Sequence, residues 1–109
     1  MHRLHLLGTA HLEGPNGRLT GAVVQRHRLA LLALLTLARD ATIPRERLVA
    51  LLWPDHADRD ARHLLNVSVH VIRKALGDEV ISTEGGDLRL DTTRLPSDLA
   101  DFRSALARS

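Results

Sequence analysis

The sequence predicts one α+β domain with an N-terminal antiparallel sheet, a three-helix core and a C-terminal β-hairpin. Three observations carry this. Short alternating polar–apolar segments with turn residues between them flank a central region of helical periodicity. The chain has 109 residues, enough to bury one core and too few for a second full domain. Apolar residues make up 44% of it and aromatics only 2%, so the core draws on Leu, Val, Ile and Ala, with Trp53 and Phe102 as its only large rings. That composition favours helices.

Leu4, Leu6 and Leu12 alternate with Arg3, His5, His11 and Glu13, and Gly14-Pro15-Asn16-Gly17 is a dense turn signal. The first twenty or so residues therefore read as short antiparallel strands. From Gln25 to Arg39 the pattern is helical and becomes apolar on nearly every side after Leu29, the mark of a helix buried in the middle of a fold. Thr42-Ile43-Pro44 presents a helix start with Pro at about the first helical position, and Leu48, Val49, Leu51 and Leu52 supply an apolar face before Pro54 stops it. An acidic loop follows. Asp58 or Asp60 can cap the third helix, which runs to a Gly77 stop. Two alternating runs, Val80-Ile81-Ser82-Thr83 and Leu88-Arg89-Leu90, then flank Glu84-Gly85-Gly86-Asp87 and read as a β-hairpin. Residues 98–108 open a further amphipathic helix.

Composition excludes several function classes. There are no cysteines, which removes disulfides, thiolate chemistry and cysteine-ligated zinc and fits a reducing compartment, the cytoplasm by default. Residues 1–7 lack the apolar core and cleavage site of a secretory signal. The longest apolar stretch, 29–35, falls far short of the ~20 residues that a membrane span needs, so no membrane association is expected. No phosphate-binding glycine motif or nucleophile elbow is present, so the chain does not read as an enzyme and no cofactor is expected. Seven histidines invite a metal, but none pair in a metalloprotease motif, and His63 and His70 stand ~10 Å apart by helix rise. No metal is expected.

The net charge of +2 implies no polyanion partner by itself, and its distribution matters more. Residues 59–76 placed on a helical wheel segregate sharply. Arg59, Arg62, His63, Asn66, His70, Arg73 and Lys74 fall within an arc of ~120°, with Ala61, Leu64, Leu65, Val69, Ile72, Ala75 and Leu76 opposite. No acid interrupts the arc, and Val67 and Val71 lie at its margin. A merely solvated face mixes signs and uses Glu–Lys pairs, whereas this one carries the side chains that hydrogen-bond phosphates and base edges. A short helix and tight loop precede it and a Gly-tipped hairpin follows. That order is a winged helix-turn-helix, with the helix at 59–76 reading the major groove of double-stranded DNA and the hairpin at 80–90 as the wing. The same fold also serves as a protein-binding module without DNA binding, which the low net charge and acidic wing tip suit.

Residues 28–37, Ile43-Pro44-Arg45-Glu46-Arg47-Leu48, Leu51-Leu52-Trp53-Pro54-Asp55, Ala61-Arg62 with Leu65 and Val69, Ile72-Arg73-Lys74-Ala75-Leu76 and the 83–90 hairpin together resemble the N-terminal DNA-binding domain of SARP-type regulators, which is similar to the OmpR-type winged helix. The resemblance covers nearly the whole chain. It implies DNA contacts at His63, Asn66, Ser68, His70 and Arg73, beside Arg59, Arg62, Lys74 and, on the wing, Thr83 and Arg89. Related domains hold Arg at several places where this chain holds His, Ser and Val71, and a basic residue where its wing tip carries Glu84 and Asp87. These departures point to modest or pH-sensitive affinity through His63 and His70, with Val67 and Val71 free to meet thymine methyl groups. The resemblance also implies that the loop at 53–58 meets RNA polymerase, here through Trp53, Asp55 and Asp58, the alternative being that Trp53 is core and the aspartates cap or solubilise. It implies dimeric or tandem binding on direct repeats. Ser97-Asp98-Leu99-Ala100-Asp101-Phe102 resembles the start of the helical activation domain of such regulators. The expected division is thus a winged-helix domain at 1–92 and, at 93–109, a linker and the opening of a truncated helical domain.

Overall fold

The computed structural model describes residues 1–108. Strands β1 (Arg3–His5), β2 (His11–Gly14) and β3 (Gly17–Arg18) form an antiparallel sheet in that order. Leu4 stands opposite Leu12 and both are fully buried, so the alternation seen in the sequence places one face of this sheet on the core. A single 3₁₀ turn leads into α1 (Arg26–Leu37), whose cap is the Gln25 side chain accepting from His27 N at 3.0 Å. Leu31, Leu32, Leu35 and Thr36 are buried along it, as expected of a central helix. It ends two residues before Arg39. Ala38 is extended, and Asp40 and Ala41 adopt positive φ of 56° and 53° in the turn that follows.

The next segment differs from expectation. Thr42–Pro44 is a strand, β4, and Pro44 is the N-cap of α2 (Arg45–Leu52) rather than a residue within it. The residue before a proline is driven to extended backbone, and Ile43 finds a cross-strand partner in Leu88. Helix α3 (Asp58–Leu76) matches the expected extent, but its cap is Ala57, with no side-chain hydrogen bond. Asp58 and Asp60 lie in its first turn instead, where a carboxylate favours the positive end of the helix dipole. Gly77 ends it at φ 115°, donating to Arg73 O at 2.8 Å. Strands β5 (Ile81–Glu84) and β6 (Asp87–Leu90) are joined through Gly85-Gly86, and the second sheet runs β4-β6-β5.

Core side chains come from every layer. Leu4, Leu12, Leu31, Leu35, Leu48, Leu65, Ile72, Ile81, Leu88 and Leu95 are buried in one cluster with Trp53, and each such side chain contributes about 1.5–3 kcal/mol of burial. Phe102, expected as the second core ring, is instead 52% exposed. It sits on α4 (Asp98–Arg108), which buries no residue. This helix is held by polar contacts: Asp98 accepts from Leu6 N at 2.7 Å and Leu7 N at 3.1 Å, Arg3 pairs with Asp101 at 2.5 Å, and Leu4 N donates to Pro96 O at 2.9 Å. Burial pushes the Asp98 carboxyl up, yet the N–H groups of Leu6, Leu7 and Leu99, with His5 nearby, hold it below its ordinary value.

Candidate nucleic-acid interface

α2 and α3 are joined by the short loop at 53–57. Ala61, Leu65, Ser68, Val69 and Ile72 of α3 face inward, an i, i+4, i+7 repetition that turns the opposite side of the helix to solvent. Arg59, Arg62, His63, Asn66, His70 and Lys74 are all exposed on it. Among the described residues, the side chains of Arg59, Arg62, His63, His70 and Lys74 make no hydrogen bond or ion pair. A cationic face without partners of its own is available to an anionic one.

The remaining expected contacts divide. Asn66 is occupied, its Oδ1 accepting from the Arg45 guanidinium. Arg73 is half-buried and engaged with the hairpin: Nε donates to Ile81 O at 2.9 Å, and the guanidinium reaches Thr83 Oγ1 at 3.3 Å. Val67 and Val71 are half-buried at the edge of the face. Ser68 is a correction. It is 2% exposed and cannot reach a ligand, because it lies ~180° around the helix from the middle of the basic arc. Arg89 is another. Thr83 pairs with Leu88, which is fully buried, whereas Ser82 pairs with Arg89. Successive strand residues point to opposite faces, so Thr83 stands with α3 while Arg89 points into the groove that contains Asp40 and Glu84. Trp53 is a core residue, as its ring and the alternative reading of the loop implied. It is 6% exposed, with its ring stacked on His27 at 5.3 Å, whereas the rest of the expected partner loop, Asp55 and Asp58 included, is exposed.

Sequence reasoning missed Arg45. It opens α2, contacts Asn66 and lines one groove with His70, Arg73, Lys74 and Thr83. Its signal was available, since a cation at the start of α2 lies beside the exposed side of α3. The hairpin is fixed to the helices at two points, Arg73 on β5 and Arg45 N donating to Gly86 O at 2.8 Å. Its tip brings Glu84 opposite Asp87 and offers no cation.

A helix-turn-helix with a hairpin locked beside its second helix defines a winged-helix domain, the architecture of DNA-binding regulators. The sequence model of the family described as "Transcriptional regulatory protein, C terminal" matches residues 21–87, from the turn before α1 to the tip of the hairpin. The chain belongs to that family, and is a DNA-binding domain of a transcriptional regulator rather than a member of an enzyme class. No curated protein and no solved structure matches it. No helix among the described residues is long and apolar enough to cross a membrane.

Proposed function

We propose that the chain is the sequence-specific domain of a bacterial regulator of the SARP type, binding duplex DNA with α3 in the major groove and β5–β6 as the wing. The unpaired basic face of α3 carries this reading. Arg59, Arg62 and Lys74 suit phosphates; His63, Asn66 and His70 suit phosphates or base edges; Val67 and Val71 suit thymine methyl groups. Arg73 positions the wing, bringing Thr83 to the same side. The binding unit is the winged helix at residues 1–92, with Leu95 and Ser97 packed onto it ahead of α4. Asp55 and Asp58 suit a basic surface of RNA polymerase. A single domain reads few base pairs, so specific affinities of ~10⁻⁸ M or tighter call for dimeric or tandem binding. The protein acts in the cytoplasm, on the chromosome, without a cofactor.

The test is a fluorescence-anisotropy titration of the full chain against a random duplex pool across a salt series, with sequencing of the bound fraction. Binding that weakens steeply with salt and enriches a motif is the expected result. Arg62→Glu and Lys74→Glu, at exposed and unpaired positions, each lower affinity at least tenfold and reduce the salt slope by about 1. Absence of binding even at ~50 mM salt, where phosphate contacts are strongest, would overturn the reading in favour of a protein-binding winged helix, for which the Glu84–Asp87 tip is the natural contact.

A further inference from the structure

The N-terminal sheet holds a second cluster of polar side chains that DNA binding does not use. β1 and β2 pair with His5 opposite His11, so the two imidazoles leave the same face of the sheet. Their rings stack with centroids 4.5 Å apart and planes 4° from parallel. Glu13 lies two positions beyond His11, hence on that face as well. Its Oε1 is 3.1 Å from His5 Nε2 and 3.3 Å from His11 Nε2. One ligand atom from each of the three residues lies within 4.8 Å of the others.

Hydrogen-bond accounting leaves this cluster incomplete. His11 Nδ1 is 2.8 Å from Thr9 O; a carbonyl only accepts, so Nδ1 carries a proton. Its Nε2 is 3.3 Å from Glu13 Oε1, donating there when the ring is an imidazolium and turning a lone pair to it when the ring is neutral. His5 Nε2 is buried and has no hydrogen-bond partner. With both rings neutral, two imidazole nitrogens and a carboxylate oxygen this close together are the donor set of a borderline divalent cation.

We propose that His5 Nε2, His11 Nε2 and the Glu13 carboxylate bind one zinc-like divalent cation, with water completing the coordination. Zinc–nitrogen and zinc–oxygen bonds of ~2.0–2.2 Å set ligand atoms about 3.3 Å apart in a tetrahedron. The rings stack nearly parallel, so binding one ion requires both imidazoles to turn out of the stack until their Nε2 lone pairs meet beside Glu13, with the β1–β2 ladder unmoved. One outer group is also in place. Metal-binding histidines characteristically give their other ring nitrogen to a carbonyl or carboxylate; His11 Nδ1 has Thr9 O at 2.8 Å, and His5 Nδ1 lies 3.8 Å from Asp98 Oδ2, beyond hydrogen-bond distance. Asp98 also accepts from Leu6 N and Leu7 N. The ion would therefore fasten the N-terminal sheet to the first turn of α4. This inference does not rest on the DNA-binding reading.

The experiment uses the full chain stripped with chelator and titrated with Zn²⁺ by calorimetry, followed by nitrogen NMR of the histidine rings. The expected result is one tight equivalent, with the Nε2 resonances of His5 and His11 moving together while those of His2, His27, His56, His63 and His70 stay. Tetrahedral visible absorption with Co²⁺ accompanies it. At a hundredfold excess of free Zn²⁺ over Kd, the unfolding equilibrium constant falls about a hundredfold. His11→Gln and Glu13→Gln weaken binding at least tenfold with the circular-dichroism spectrum unchanged. No stoichiometric binding, or binding that moves other histidines, overturns the proposal; the ring NMR is read on the unaltered chain, so it decides the matter even where a variant misfolds.

Discussion

Gly77 stands at φ 115° and ψ 146° with open space where a Cβ would go. Any cost of a side chain there is conformational rather than steric, and only glycine occupies that region freely. Gly77→Ala is expected to lose about 1–2 kcal/mol in urea unfolding, and Gly86→Ala, also in open space but without positive φ, under ~0.5 kcal/mol. Equal losses would remove the conformational explanation. Asp91, just after β6, offers a pH prediction. Its carboxylate accepts from the Thr93 hydroxyl, and from Thr93 N at 3.0 Å and Arg94 N at 3.3 Å. The Thr93 hydroxyl first, and then these backbone groups with the Arg94 guanidinium, hold it below its ordinary value against the opposing effect of burial. A depressed folded value gives stability that is present above the unfolded pKa of ~3.9 and lost as pH falls through the folded one. An NMR titration should place Asp91 below an unstructured aspartate, and Asp91→Asn should flatten the acid limb of the stability curve. At this scale the sequence was legible where periodicity alone decides, as at His63 and His70. It misled at Ser68, where family position outweighed wheel angle, and at Arg89, where the strand's face depends on its register.

Helix α3 was readable almost to the residue because nineteen residues of one periodicity average out local ambiguity. β4 was not. It has three residues, and what makes them a strand is β6, far along the chain. The histidine–glutamate cluster was hidden for the same reason, since its ligands come from two strands and meet only through pairing. Elements also fix what Arg73 does. Arg73→Ala should cost about 1–2 kcal/mol through the lost bond to Ile81 O and speed amide exchange across Ile81–Glu84. DNA affinity should fall while the salt slope holds, because a wing holder neutralises no phosphate; a slope smaller by about 1 would make Arg73 a phosphate contact instead.

The packed unit runs past the hairpin. Leu95 is 1% exposed within the same cluster as Leu31 and Leu65, and Ser97 bridges to Leu4. Leu95→Ala is expected to destabilise the whole domain by about 2–5 kcal/mol, seen as a lowered single transition by every probe. A loss under ~0.5 kcal/mol would return the boundary to residue 92. The overall order of sheet, helices and hairpin was legible because each segment declares its own period, whereas the exposure of Phe102 was not, since α4 is held by Asp98 and Arg3 rather than by its apolar side. The β4–β6 pairing has one more consequence. Thr42 finds its partner in Arg89, so a growing chain on the ribosome has made all of α1, α2 and α3 before that partner exists. The hairpin closes within microseconds once synthesised, but β4 waits for it as an unpaired edge. During translation this domain can gather its helices early, yet its second sheet is completed only after the wing has emerged.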